Sequence, residues 1–484
     1  MKTPLFKTTI IAAWFLLLLI LLGRSLFIEE IDRHELQVIE DARQERYYGV
    51  WFQHRRIGYV AETLKPDGSD VILHQKAHIL LNVLETTQPI DMNVTARLDQ
   101  RLVLKDFNFQ FTSPFYTMQA EGYAEGNSVH FTLDTGHSII TDKVTLDGPP
   151  MLAVNDRSYL LKKLTQAGQK IKVPSFDPLT LSGREAVVTY HGQEKILIRK
   201  RVKQLHHFSE MFSGMRINFW VDDSGKVIKE ESPAGFQFIA EPEFRAKDVV
   251  SSGNELLSAV AVPLTGKLPE RGTTEVIYRL SFPPDIELDM QGGRQNVNGS
   301  LLRVTLEKMP ATASGDNGVC NQPEFLQPSR YVQTDHQDIR DTALNIVGNE
   351  TDPAVQVRLL ADWIYNSLEK RPVLGLPDAL TTLHNKQGDC NEHASLFAAL
   401  ARSLNIPTAI ATGVTLQDKY FYYHAWNEVC LDGTWYSLDT TTNQLPADIF
   451  HLRFGKGDLD QHLQIGALLG NLKIAIVPKE NTEQ

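Results

Sequence analysis

Cysteine is scarce, with three residues in a chain of 484. That excludes a fold stapled by many disulfides; Cys320 and Cys430 could pair in an oxidising compartment, with Cys390 staying free. Basic charge is short as well. The 48 Lys and Arg face 59 Asp and Glu, a net charge of −11 that argues against nucleic-acid binding and offers anionic lipids no basic patch. No EF-hand-type calcium loop occurs, and no internal repeat is visible. Long apolar runs are absent except one, from Ile10 to Gly23, preceded by Lys2 and Lys7 and followed by Arg24. It is shorter than the roughly 20 residues of a usual spanning helix and has the length of a signal peptide's central region. No small-x-small cleavage site follows it, however, and Thr8 to Ile28 can span if Arg24 snorkels to the interface. The expectation is an uncleaved signal anchor over residues 1–28, single-pass in the cell inner membrane. The lysines hold its start in the cytoplasm, so the bulk of the chain is expected to be periplasmic.

What is present has the composition of an ordinary globular protein and a length that asks for two or three domains. Over residues 45–250 apolar and polar residues alternate. Phe107, Phe109 and Phe111 interleave with Asn108 and Gln110, and Val129, Phe131 and Leu133 with His130 and Thr132; Ile217, Phe219 and Val221 repeat the pattern. Turn signals at Pro66-Asp67-Gly68, Gly126-Asn127, His191-Gly192 and Asp223-Ser224-Gly225 punctuate it. This predicts an antiparallel sheet, curved or open-barrelled, with one wet face. His206-His207 reads as a solvated basic strand end rather than a metal pair. Nothing in this region has catalytic spacing, and its expected role is to position the rest or to bind a partner protein or lipid. A smaller β segment is expected over 257–310, then a linker from Thr312 to Pro323.

Helices dominate the start of the last region, 325–480. Thr334 with Gln337 reads as a capping box and Gly348 as the stop of a first helix. Asp352-Pro353 opens a second, with Val357, Leu360, Ile364 and Leu368 in one stripe. A short helix over Asp378–His384 leads to Gly388-Asp389-Cys390-Asn391-Glu392-His393-Ala394. Asp389 can cap a helix there, and Glu392 can reach back to complete the box. Ala394, Phe397, Ala401 and Leu404 describe one buried face, and Pro407 ends the helix. Cys390 thus falls in a first turn, where unpaired N–H groups favour a thiolate.

Phe421–Leu431 and Thr434–Leu438 read as two strands of a hairpin, joined at Asp432-Gly433, a two-residue turn signal. In that register Trp426 faces Asp439, and His424 lies diagonal to it, about 7–8 Å away at the backbone, a gap their side chains can close. Thiol, imidazole and carboxylate are the parts of a nucleophilic cysteine site. The alternative of an inert buried thiol fits a lone cysteine better than one with a partner His and Asp in register. A zinc site from Cys390, His393, His424 and Cys430 fails because His424 and Cys430 lie about 20 Å apart along one strand. Glu392 is assigned to capping, His393 to covering the site, Trp426 to a wall of the cleft and Glu428 to a solvated strand position.

Gly388-Asp389-Cys390 with Glu392, His424-Ala425-Trp426, and Trp435 with Leu438-Asp439 resemble the transglutaminase-like superfamily, over about the last third of the chain. The resemblance implies a papain-like fold with Cys390 as nucleophile, His424 as general base and acid, and Asp439 as orienting carboxylate. The expected fold class is α+β: a C-terminal transglutaminase-like domain preceded by antiparallel β domains and an N-terminal transmembrane helix. The expected activity is acyl transfer from amide or peptide bonds of a protein or peptide substrate in the cell envelope, hydrolytic because no amine-acceptor site is visible. Protein cross-linking and a catalytically inactive binding protein are the alternatives. No cofactor and no metal is expected, and only the backbone N–H of Cys390 is a candidate oxyanion donor.

Overall fold

The computed structural model describes residues 29–30 and 44–478, apart from 84–85, 153, 155–156, 213–214, 250–259, 285, 317, 459–465 and 467. The expected anchor at 1–28 lies outside the described residues, and among these no helix is long and apolar enough to cross a membrane. The structure is mostly antiparallel β with few helices.

Period-two alternation builds the first half. Phe107, Phe109, Phe111, Val129, Phe131 and Leu133 are all buried on one face of a 15-stranded sheet. From Gln44–Phe52 the strands run as a meander to Ile139–Thr145. After a short helix, Ser158–Lys163, a second meander runs from Lys170–Asp177 to Phe236–Glu241. That last strand pairs with Gln44–Phe52, so the first meander starts in the middle of the sheet, while Glu29–Glu30 pairs with Lys170–Asp177 at its edge. The sheet also curls toward itself. A Cβ on Gly183 would stand 2.5 Å from Val144, on the strand that ends the first meander, and 2.8 Å from Leu146 just after it. His191-Gly192 is not a turn: it sits inside the long Ser182–Ile198 strand, where the register slips between Tyr190 and Gly192. His206 and His207 likewise lie mid-strand. His206 contacts Tyr190 at 2.8 Å and His207 stacks on Trp220 with centroids 4.8 Å apart, so neither is a loose solvated end.

The strands at 262–265, 275–281, 295–298 and 301–305 join the same nine-stranded sheet as the C-terminal hairpin. Lys473–Val477 lies between two of them, and Val262–Thr265 pairs with the start of Tyr420–Leu431. The linker is fastened too. Ser314 N–H and Oγ reach Asp432 at 2.9 and 2.7 Å, and Cys320 is disulfide-bonded to Cys430.

The first C-terminal helix is Gln337–Val347, capped by His336 rather than Thr334; the His336 ring accepts from the Asp338 N–H. The helix Cys390–Ser403 is buried on all sides, from Glu392 through Arg402, not on one face as its pattern suggested. Three helices and the sheet surround it, so even Arg402 is covered and pairs with Asp458 at 2.6 Å. The two halves also meet directly. Arg330 pairs with Asp142 at 2.6 Å, and Thr135 Oγ1 donates to Asp378 at 2.9 Å.

Candidate active site

The Cys390–Ser403 helix starts as its sequence dictates. Asp389 accepts the Asn391 N–H at 3.0 Å, and Glu392 reaches back to the Asp389 N–H at 2.9 Å. Glycine is required just before it, because a Cβ on Gly388 would meet the Glu392 Cβ at 2.3 Å. Cys390 is partly buried and free. Burial first, then the Asp389 charge, pushes its thiol well above the usual range, while the nearby Ala425 backbone N–H pulls the other way. Ala425 is the residue after His424, so the thiol lies against the strand that carries the imidazole.

That strand, Tyr420–Leu431, is the hairpin arm expected. Asp432 and Gly433 take φ of 51° and 77°, the left-handed pair of a tight hairpin turn, and Leu431 faces Thr434. Two bonds clamp the assembly to the helix. Asn427 Nδ2 donates to Ala394 O at 3.0 Å, and the buried His393 Nδ1 donates to Thr440 O at 3.2 Å. Burial lowers the His393 pKa to about 4, so its ring is neutral and serves as a tie. On the other side Gly413 pairs with His424; a Cβ there would stand 1.9 Å from Leu452 O, so the neighbouring strand approaches only because the residue is glycine.

His424 Nε2 meets Asp439 Oδ2 at 3.0 Å, with His424 nearly buried and Asp439 fully so. This leaves Nδ1 as the ring nitrogen able to take a proton. Asp439 also accepts from the Thr441 N–H at 2.8 Å and Thr442 Oγ1 at 2.5 Å. Burial alone would raise its pKa, but the hydrogen bonds and charges of His424 and His451 hold it well below the carboxylate range.

His451 is the residue that sequence reasoning missed. It is buried, with Nε2 3.3 Å from Asp439 Oδ2 and Nδ1 2.8 Å from Asp448. Burial lowers its pKa, yet the two carboxylates outweigh that and raise it, so the ring carries charge more readily than a free imidazole. The only local hint was Asp448 three residues upstream. Trp426 is buried and lies edge-on to His451, 5.2 Å between centroids, and closer to parallel with His424 at 6.2 Å. Ligand atoms of His424, Asp439 and His451 lie within 4.8 Å of one another, the one grouping among the described residues that could take a metal ion. Their spacings of 3.0 and 3.3 Å are equally those of hydrogen bonds from two imidazoles to one shared oxygen.

Glu428 is not solvated. It is 4% exposed, accepts two bonds from Arg453 at 2.8 and 3.0 Å, and pairs with Lys456 at 2.9 Å. Those cations hold its pKa down against burial. Arg294 and Glu307, which flank the strands at 295–298 and 301–305, reach the second strand of the hairpin, Thr434–Leu438. Arg294 Nη1 donates to Ser437 Oγ at 2.6 Å, and Glu307 accepts the Ser437 N–H at 3.1 Å.

Residues 340–440 match the family model of the transglutaminase-like superfamily. An uncharacterized protein of Haemophilus influenzae is 30% identical over 98 residues, covering 19% of this chain and 26% of that protein. The chain thus spans about a quarter of the length of that curated relative. A candidate cysteine protease from Cytophaga hutchinsonii is 20% identical, over 44% of this chain and 82% of its own, with a TM-score of 0.30. A candidate protease from Parabacteroides distasonis is 10% identical, over 69% of this chain and 68% of its own, with a TM-score of 0.20. Neither structural likeness is close enough to carry an argument. The segment matched by the transglutaminase-like superfamily model, 340–440, holds Cys390, His424 and Asp439.

Proposed function

We propose that the chain is a cysteine acyl-transfer enzyme acting on amide or peptide bonds, with Cys390 as nucleophile, His424 as base and acid, and Asp439 as orienting carboxylate. The observation that carries this reading is the 3.0 Å contact between His424 Nε2 and Asp439 Oδ2, on a strand whose next residue, Ala425, brings its backbone N–H toward the Cys390 thiol. Because burial and Asp389 hold the thiol up, the resting site is a neutral thiol beside an imidazole rather than a free thiolate. The thiol proton passes to His424 Nδ1 as the sulfur attacks the carbonyl carbon. The oxyanion forms at the helix start, where the Cys390 N–H can meet it. His424 then protonates the amide nitrogen as the C–N bond breaks, leaving a thioester. Water, deprotonated by His424, attacks the thioester and releases a carboxylic acid and the thiol. Asp439 stays ionised throughout and stabilises the imidazolium.

The assigned class is hydrolysis, and the assigned substrates are envelope proteins or peptides met outside the cytoplasm. A Cys320–Cys430 disulfide fits that compartment. The test of the chemistry is labelling by a thiol-reactive probe. Labelling of Cys390 is expected to fall about a hundredfold or more in a His424→Ala variant; unchanged labelling would overturn the proposal. Mass spectrometry of a Gln-containing peptide incubated with an amine divides the reactions, since a cross-linked product would assign a transferase instead. The anchor is tested by N-terminal sequencing of the mature chain, and a start after residue 25 would remove it.

A further inference from the structure

The large curled sheet encloses a cavity of about 430 Å³ that the acyl-transfer chemistry does not use. Its walls are mostly apolar, including Leu73, Met92, Val94, Phe109 and Phe176. They come from strands far apart in sequence, brought round one lumen by the sheet's curvature. The volume and the apolar walls fall within the range of small-molecule sites. At roughly 30 Å³ per non-hydrogen atom, the share of a water in the liquid, it holds about 14 such atoms.

One part of the wall is charged. Arg157 reaches Glu210 at 2.9 Å and Glu230 at 3.6 Å, and its guanidinium lies 4.1 Å over the Phe219 ring. Asp177, also in the lining, accepts from Thr180 Oγ1 at 2.9 Å and the Leu179 N–H at 3.0 Å. Glu210 and Glu230 thus share one guanidinium, and no lysine among the described residues lines the lumen. Glu230 has only a share of Arg157 and lines the cavity; burial raises its pKa despite the arginine. Buried negative charge in excess of its partner is costly unless the carboxyl takes a proton or a cation arrives, and an ammonium head can supply either.

We propose that this lumen binds a small amphiphile, an apolar chain of about a dozen carbons with a cationic amine head that sits against Glu230 and Glu210. The chain replaces cavity space along Leu73, Met92 and Val94, and the ammonium supplies the countercharge that Arg157 shares too thinly. A fatty acid of the same length would bring a third carboxylate to Glu210 and Glu230, and a fatty alcohol would bring none.

The test is titration calorimetry of the full chain with dodecylammonium, dodecanol and dodecanoate, all below their aggregation concentrations. One saturable site is expected, with dodecylammonium at least tenfold tighter than dodecanoate. Val94→Trp, which fills the lumen, is expected to abolish binding. Glu230→Gln keeps the shape, and is expected to leave dodecanol binding intact while the preference for ammonium over dodecanol falls about tenfold. Unsaturable uptake, equal binding of dodecanoate, or an unchanged preference in Glu230→Gln would each overturn the proposal. Because Cys390 takes no part, these outcomes stand whether or not the thiol is catalytic.

Discussion

Replacing Asp439 by asparagine tests the charge logic of the site with hardly a change of shape. In the native protein the carboxylate takes His424 Nε2 at 3.0 Å. At that distance and an effective dielectric near 20, an imidazolium–carboxylate pair is worth about 5.5 kcal/mol. One tenfold in rate corresponds to 1.36 kcal/mol, so losing the whole of it would slow proton transfer from the thiol by about 10⁴. The asparagine carbonyl dipole retains part of the stabilisation, so a loss of roughly 10³ to 10⁴ is expected. A second effect acts in the same direction. An amide NH₂ turned toward His424 makes Nε2 an acceptor, which moves the ring proton to Nδ1 and removes the base that faces the nucleophile. The readout is the second-order rate of Cys390 carbamidomethylation by iodoacetamide at pH 7, followed by intact-protein mass spectrometry. Cys390 is the free thiol, since Cys320 and Cys430 are bonded to each other. Thermal unfolding of the variant establishes that it is folded, as the amide oxygen of the introduced side chain can still accept the Thr441 N–H. A rate within tenfold of the wild type in a folded Asp439→Asn protein would refute the reasoning and make Asp439 a purely structural group.

Glu428→Gln strands Arg453 and Lys456 in a buried site; the expected cost is about 3–5 kcal/mol by urea unfolding, and a loss under about 1 kcal/mol would mean water already screens the three charges. Replacing Cys320 and Cys430 together by alanine opens a loop whose ends are 110 residues apart, for which the chain-entropy model gives up to about 5 kcal/mol of lost stability. The same comparison under reductant should show the wild type converging on the variant. For pH, the signs differ by group. His451 has a raised pKa, so its contribution is complete below about pH 6.5, the unfolded value, and is lost as pH rises through the folded one. Asp439 and Asp448 are lowered, so theirs is present above about pH 4 and lost as pH falls through the folded values. The urea midpoint of the wild type minus that of His451→Gln should therefore shrink from pH 6 to pH 9, and a flat difference would contradict the ion-paired placement of His451.

What the chain determined by itself was local. The Asp389–Glu392 box, the Gly348 helix stop, the Asp432-Gly433 turn and the alternation of Phe107, Phe109 and Phe111 each depend on neighbours within a few residues. A two-residue turn also dictates register, which is why the closeness of His424 and Asp439 was legible before any coordinates. Tertiary structure decided whatever depends on partners distant along the chain. Glu428 reads as an exposed strand residue until Arg453 and Lys456 arrive over it on the next strand but one. His451 has its pKa raised by Asp439, twelve residues away, together with Asp448, and the central helix becomes buried all round because elements from both sides of it in sequence close over it. Periodicity records what one element wants to bury, whereas burial and pKa are set by everything that packs against it, and only the folded chain contains that sum.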